Sequence, residues 1–316
     1  MIKVFNNIEE VEYNSDTIVT VGTFDGVHLG HKEILNTLIE RSKKENKRSC
    51  IVTFHPHPQH VINNHTKKEL KLITSIEERI YLFDKLGIDS TLVIPFNREF
   101  SEYSAEYFIM DLLYKKLGFS DFLIGYDHSF GRNRKGNYNL LKELSLANNF
   151  SIERIEAKST SEDEIISSTK IREALGLRDI QLANKMLGWN YFVTGIVKEG
   201  HKRGRKLGYP TANVIPNEVH KLIPSNGVYV VKSQIDGEEY FGMANIGTRP
   251  TFLENAQAQL EVNFFDLEKD LYGKELRIEF LAYVREEKKF EVIDLLLTQL
   301  NNDKEFSLKF LKNYNK

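Results

Sequence analysis

Two histidines one helical turn apart, in a glycine-rich stretch, are the first residues with types and spacing suited to chemistry. The stretch reads Val21-Gly22-Thr23-Phe24-Asp25-Gly26-Val27-His28-Leu29-Gly30-His31. The apolar run Ile18-Val19-Thr20-Val21 leads in and a helical pattern, Lys32 to Lys44, leads out, so the stretch is expected to turn from a buried strand into a helix. Glycine lets a backbone come close to a ligand, and a helix start offers free N–H groups to a phosphate. His28 and His31 add donors that can carry positive charge. The bland alternative is a glycine-rich turn with two solvated histidines. The spacing is neither Gly-x-x-x-x-Gly-Lys-Ser/Thr nor Gly-x-Gly-x-x-Gly, which excludes the two commoner phosphate loops.

Further constellations follow. In Ile166-Ser167-Ser168-Thr169-Lys170-Ile171-Arg172, hydroxyls and two cations open a predicted helix. They suit a second anion cradle, although helix capping alone explains a serine there. Phe54-His55-Pro56-His57-Pro58 is a stiff turn with two more imidazoles. Its histidines lack the spacing of a structural zinc site, so phosphate is favoured over metal. Gly125 to Gly136 is a loop holding Arg132, Arg134 and Lys135, cations that read equally as a solvated face. Gly200 to Val214 carries four basic residues and ends Pro210-Thr211-Ala212-Asn213. The basic run alone is a solvated loop or an RNA contact. Thr211 and Asn213 alternate with a small residue, which puts two oxygen-bearing side chains on one side of an extended segment, as Mg²⁺ prefers. Glu261 lies in a strand-like run and, taken alone, reads as solvent-facing.

The elements that position these residues are of two kinds. Up to Ile155, strand-like runs (18–21, 48–54, 91–96, 121–125 and 151–155) alternate with helical ones, which predicts βαβ units and a parallel sheet. One helix is expected to be capped by Ser75 with Glu78, and another to run from Ser104 to Leu117. Each chemical stretch follows a strand, so they are expected to gather at one sheet edge. From Tyr191 the runs 191–197, 227–231, 240–244, 260–265 and 276–281 follow one another without helices, and Asp236-Gly237 marks a hairpin. That predicts an antiparallel barrel or sandwich, closed by an amphipathic helix from Lys289 to Leu311. The boundary is placed near 185, giving domains 1–185 and 186–316.

Composition excludes several classes. The chain has 316 residues, 41% hydrophobic and 28% charged, with a net charge of −2. That is an ordinary globular balance with no general pull towards nucleic acid or anionic membrane. No apolar run approaches the roughly 18 residues of a membrane span, and the first residues do not form a secretion signal. The single cysteine, Cys50, excludes an internal disulfide and fits a reducing compartment. A cytoplasmic location is expected.

The His-x-Gly-His core resembles the nucleotidyltransferase superfamily. The longer Gly-Thr-Phe-Asp-Gly-Val-His-x-Gly-His is similar to the adenylyltransferase half of bacterial bifunctional riboflavin kinase/FAD synthetases. Ile-Ser-Ser-Thr-x-Ile-Arg at 166–172 matches the same half, and so does the 125–136 loop, apart from His128 where the family has phenylalanine. Gly-x-x-x-Gly-Arg-x-Leu-Gly-x-Pro-Thr-Ala-Asn at 200–213 resembles the riboflavin kinase signature. Asn245 to Phe252, Leu271-Tyr272-Gly273 and Arg285 to Phe290 also fit that half, and Asn263 stands where many relatives have histidine.

The resemblance implies a Rossmann-like α/β nucleotidyltransferase domain followed by a riboflavin kinase β-barrel with a C-terminal helix. It implies that His28 and His31 are catalytic and that Gly22, Phe24, Asp25, Gly30, Ser168, Thr169 and Arg172 hold ATP. His57, Asp127, Phe130 and Gly131 would form the flavin/nucleotide loop. In the barrel, Gly200, Gly204, Arg205, Gly208 and Pro210 would hold ATP. Thr211 and Asn213 would bind Mg²⁺, Glu261 would be the catalytic base and Arg285 would lie by the flavin. ATP would be co-substrate of both halves, with riboflavin, FMN and FAD as the other partners. No nucleic acid or membrane partner is implied, and the chain is expected to be a monomer or to self-associate weakly. The competitors are a class I aminoacyl-tRNA synthetase, which needs a tRNA-binding domain and basic surface, and a non-catalytic flavin- or RNA-binding regulator.

Overall fold

The computed structural model describes residues 1–62, 69–126, 128–156, 166–199, 207–248 and 258–314. The chain divides into two units, Met1–Ser168 and Thr169–Lys316.

In the first unit the strands are β1 (Lys3–Phe5), β2 (Thr17–Val21), β3 (Arg48–His55), β4 (Ser90–Pro95), β5 (Asp121–Gly125) and β6 (Ser151–Ile155). Between them lie α1 (Leu29–Glu45), α2 (Pro58–Ile62), α3 (Ile76–Leu86), α4 (Arg98–Ser101), α5 (Ala105–Tyr107) and α6 (Tyr138–Ala147). All six strands are parallel, in the order β1-β4-β3-β2-β5-β6. Because successive side chains point to opposite faces, the strands feed two cores. Ile18, Ile51 and Leu123 meet Ile34, Leu35, Leu38 and Phe83 of α1 and α3 on one face. Val19, Val52 and Phe122 meet Phe108, Ile109, Leu112 and Leu113 on the other. Ser75 and Glu78 form the expected capping box of α3.

Two features differ from expectation. The edge strand β1 is too short for a periodic signal, and only Phe5 of it is buried. The helix expected from Ser104 to Leu117 is α5 followed by a π-helix, Phe108–Leu117. The Gly118 N–H closes the π-helix on Leu113 O, five residues back, at 2.9 Å. Its apolar pairs Phe108/Ile109 and Leu112/Leu113 are buried in the core on that face of the sheet.

The second unit begins with α7, which spans Ser168–Gly176 across the unit border, and α8 (Ile180–Leu187). Six antiparallel strands follow: β7 (Phe192–Lys198), β8 (Ala212–Pro216), β9 (Gly227–Ile235), β10 (Glu238–Thr248), β11 (Ala258–Phe264) and β12 (Glu275–Arg285). They close a barrel in the order β10-β11-β8-β7-β12-β9. The β9–β10 hairpin turns at Asp236 and Gly237, both at positive φ, as Asp-Gly predicts. The final helix, α9, runs Ile293–Tyr314 and packs on β10 and β12. It starts later than expected because the preceding charged run is not helical there, and Glu287 of that run lies against Gly247 of β10. Among the described residues no helix is long and apolar enough to cross a membrane.

Candidate functional site

The sheet order makes a topological switch point between β2 and β5. From β2 the chain winds outward through β3 and β4, then returns to β5 on the other side. Such a crevice beyond the strand ends is where open parallel sheets bind ligands. The stretch 22–31 follows β2, and the loop from Gly125 follows β5.

His28 is the N-cap of α1, and its Nδ1 accepts the His31 backbone N–H at 3.3 Å. With Nδ1 used as acceptor, a neutral His28 carries its proton on Nε2. The two imidazoles stack with centroids 3.6 Å apart and planes 16° from parallel. Gly30 makes this possible, since a Cβ there would come within 3.2 Å of the His28 ring. Phe24 sets its ring edge-on to His31 at 5.3 Å. His31 Nδ1 is buried and meets no hydrogen-bond partner among the described residues. Burial, then the neighbouring charges of His28, His128 and Arg79, hold the His31 imidazole well below its ordinary pKa. It is therefore neutral at pH 7, with one ring N–H to donate.

The loop is held from below. Asp25 is 2% exposed. Its carboxylate accepts the backbone N–H groups of Ile73 (3.2 Å) and Thr74 (2.9 Å) and the Thr74 hydroxyl (3.2 Å). Gly26, at φ +94°, donates its N–H to the same threonine at 2.9 Å. The structure thus gives Asp25 an anchoring role through these bonds. Arg79 of α3 is fully buried; its guanidinium donates to Thr23 O and, at 3.1 Å, to Thr53 Oγ1. At the start of α7, the Ser168 hydroxyl donates to Asp25 O at 2.8 Å. Two motifs distant in sequence therefore meet, and Thr169, Lys170 and Arg172 follow in the same helix.

The remaining expected residues of this unit fall nearby or beneath. His57 Nδ1 accepts the Gln59 N–H at 3.2 Å, at the start of α2 after β3. Phe130 is in the core with Phe108 and Phe122, and His128 stacks on it at 6.0 Å. Phe130 and Gly136 exchange backbone hydrogen bonds of 3.0 and 2.8 Å, which pinch the loop shut. Gly131, at φ +70°, passes so close to Ala105 that a Cβ would sit 2.6 Å from its Cα. Arg132 pairs with Glu102 at 3.1 Å, and Arg134 Nε donates to Ser129 at 2.7 Å. Asp127 lies outside the described residues. Among the described residues no group of three or more His, Cys, Asp or Glu could hold a metal ion.

In the barrel, register assembles a second constellation. Glu261 of β11 stands directly opposite Asn213 of β8 on one side and Asn245 of β10 on the other. The row continues from Asn213 to Lys198 and from Asn245 through Val228 to Arg285. Paired residues in an antiparallel ladder share a face. Their neighbours Ala212, Val214, Leu260 and Val262 are buried on the opposite face, while Thr211, Asn213 and Glu261 are half-buried. Two neutral oxygen donors therefore lie on the same face as a carboxylate, a hard-ligand set that fits Mg²⁺.

Asn263 is on the same face two residues on, and its amide donates to Pro210 O at 2.7 Å. Arg285 makes a forked pair with Asp303 of α9, Nε to Oδ1 at 2.8 Å and Nη2 to Oδ2 at 2.7 Å. It thus braces β12 against the final helix. Gly208 and Pro210 are described, whereas Gly200, Gly204 and Arg205, and residues 249–252 of the second loop, lie outside the described residues.

Arg79, Asn263 and Asp303 are site-supporting residues that motif reading did not single out for these roles. Arg79 was visible as the residue after the capping box, but nothing in the sequence distinguishes a buried helix arginine from an exposed one.

Comparison with known proteins places each half of the chain in a family. The FAD synthetase family model matches residues 10–170 and the riboflavin kinase family model matches 187–311. The bifunctional riboflavin kinase/FMN adenylyltransferase of Bacillus subtilis is 37% identical over 96% of each chain. The enzyme of the same name from Escherichia coli is 33% identical over 96% of this chain and 95% of its own. Among solved structures, one described as a macrolide-efflux protein from Streptococcus pneumoniae superposes with a TM-score of 0.85 at 28% identity, covering 96% of this chain and 97% of its own. With both halves matched in order over nearly the full length, the chain belongs to the bifunctional riboflavin kinase/FMN adenylyltransferase family.

Proposed function

We propose that the chain makes FAD from riboflavin in two ATP-dependent steps, phosphorylation in the barrel and adenylylation at the parallel sheet. The observation that carries this reading is the pairing of Glu261 with Asn213 in one unit and the stacked His28/His31 pair at the switch point in the other.

In the first step Glu261 accepts the proton of riboflavin's terminal hydroxyl as that oxygen attacks the γ-phosphorus of ATP, and ADP leaves. Thr211 and Asn213 would hold a Mg²⁺, which would supply positive charge against the phosphates. Arg285, fixed by Asp303, would lie by the flavin, and Gly200, Gly204, Arg205, Gly208 and Pro210 would bind the ATP.

In the second step an oxygen of the FMN phosphate attacks the α-phosphorus of ATP in line, and pyrophosphate leaves. The attacking phosphate is already ionised, so no base is required; position and charge carry the rate. His28 donates from Nε2 and His31 from its ring N–H to the oxygens that gain charge. Gly22, Phe24, Asp25 and Gly30 shape the loop that approaches the phosphates. Ser168, Thr169 and Arg172 hold the β- and γ-phosphates, and His57, Asp127, Phe130 and Gly131 frame the flavin end. The domain boundary near 185 fits family matches that end at 170 and resume at 187. The cytoplasm supplies the ATP and the reducing conditions that this chemistry and one buried thiol suit, and a monomer or weak self-association is part of the same reading.

The test is chromatography of flavins after the purified protein meets riboflavin, ATP and Mg²⁺. FMN followed by FAD is expected. FMN alone would point to the loop altered at His128, and no conversion of riboflavin or of supplied FMN would favour a flavin-binding protein without catalysis.

A further inference from the structure

The ladder between β8 and β11 stops one residue short of the residue it most needs to place. Its pairs run Leu260 with Val214, Glu261 with Asn213 and Val262 with Ala212. The next pair would set Asn263 against Thr211, but β8 begins at Ala212. At that point Asn263 replaces the missing backbone bond with its side chain, donating Nδ2–H to Pro210 O at 2.7 Å. Asn263 is 7% exposed, so this is a buried bond rather than a surface one. The residue before Pro210 is fixed separately, by the Tyr209 hydroxyl donating to Asn301 of α9. Proline has no N–H, so its carbonyl is the one backbone polar group through which the neighbouring strand can hold it.

We infer that Asn263 is a positioning residue of the kinase site: it clamps Pro210 O and so sets Thr211 in line with Asn213 and opposite the strand that carries Glu261. The inference rests on reading the barrel as the riboflavin kinase. Asn263 does not touch the reacting atoms. Its loss frees the entry to the Thr-Ala-Asn segment while Glu261 and Asn213 stay paired in the ladder. Binding of Mg-ATP is therefore weakened more than the chemical step, and riboflavin binding is unchanged.

Steady-state kinetics of FMN formation test this, with thermal midpoints of each variant as the folding control. Asn263→Ala is expected to raise the KM for Mg-ATP about tenfold, the scale of one buried hydrogen bond, with a smaller fall in kcat and an unchanged KM for riboflavin. Asn263→Asp keeps the shape but sets an acceptor oxygen against Pro210 O, so the KM for Mg-ATP rises at least as far as in alanine; if the alanine variant does not fold, the aspartate variant decides. Asn263→His, which restores an N–H donor, recovers at least part of the loss. A wild-type KM for Mg-ATP in a folded alanine or aspartate variant would overturn the inference. Absence of FMN formation by the unaltered protein would instead overturn the kinase reading itself.

Discussion

Stacked imidazoles cannot both be cations at little cost, and His28 and His31 share the work accordingly. His28 caps α1 through Nδ1, while His31 is kept neutral by burial and by the charges around it. The sign of the consequence for stability is fixed. The folded pKa of His31 lies below its unfolded value near 6.5, so the unfolded chain binds the extra proton first. Stability is whole above about pH 6.5 and falls as pH drops towards the folded pKa. Thermal midpoints measured from pH 7.5 down to 5 should fall for the wild type and fall less for His31→Gln; parallel curves would remove His31 as the cause. The strand-to-helix turn at His28 and His31 and the helix start at 168 were legible in the sequence because their patterns are local. The anchoring by Asp25 and the buried guanidinium of Arg79 were not, because their partners Thr74 and Thr23 are distant in sequence.

At the scale of elements, alternation and turn chemistry carried far. The βαβ order, the α3 capping box and the Asp236-Gly237 hairpin could all be read directly. Register could not: that Glu261 faces Asn213 depends on how β8 and β11, far apart in the chain, slide past each other. Nor could the π-helix at 108–117, because the four-residue spacing of its apolar pairs is equally that of an α-helix. The join between β12 and α9 combines apolar contacts of Leu300, Phe310 and Leu311 with a buried ion pair, Asp303 being 2% exposed and forked onto Arg285. Removing one partner of a buried pair leaves the other uncompensated, at about 3 kcal/mol. Asp303→Ala should therefore lower the barrel's stability by about that amount in urea unfolding followed by circular dichroism, and Asp303→Asn by less. An unchanged midpoint for Asp303→Ala would show that α9 is held by its apolar contacts alone.

At the scale of the whole molecule, one chain carries two phosphorus chemistries that need different tools. Phosphorylating an alcohol needs a base, and the barrel supplies a carboxylate beside neutral oxygen donors. Adenylylating a phosphate needs no base, and the parallel sheet supplies donors at a strand-to-helix turn. The two motif sets appear in the order of the two family matches, 10–170 and 187–311, so the architecture as well as the chemistry was legible from the sequence. The Streptococcus pneumoniae structure shares the fold over nearly the whole chain.

The division of labour is the central claim, and reciprocal substitution tests it most directly. Each variant is assayed separately for FMN formation from riboflavin and for FAD formation from supplied FMN. Asn213→Ala should abolish FMN formation and leave FMN-to-FAD conversion at the wild-type rate. His31→Ala should leave FMN formation intact and cut FAD formation about a hundredfold or more, the scale of losing one preorganised donor to a transition state. If either substitution abolished both reactions in a folded protein, the assignment of one chemistry to each unit would be wrong.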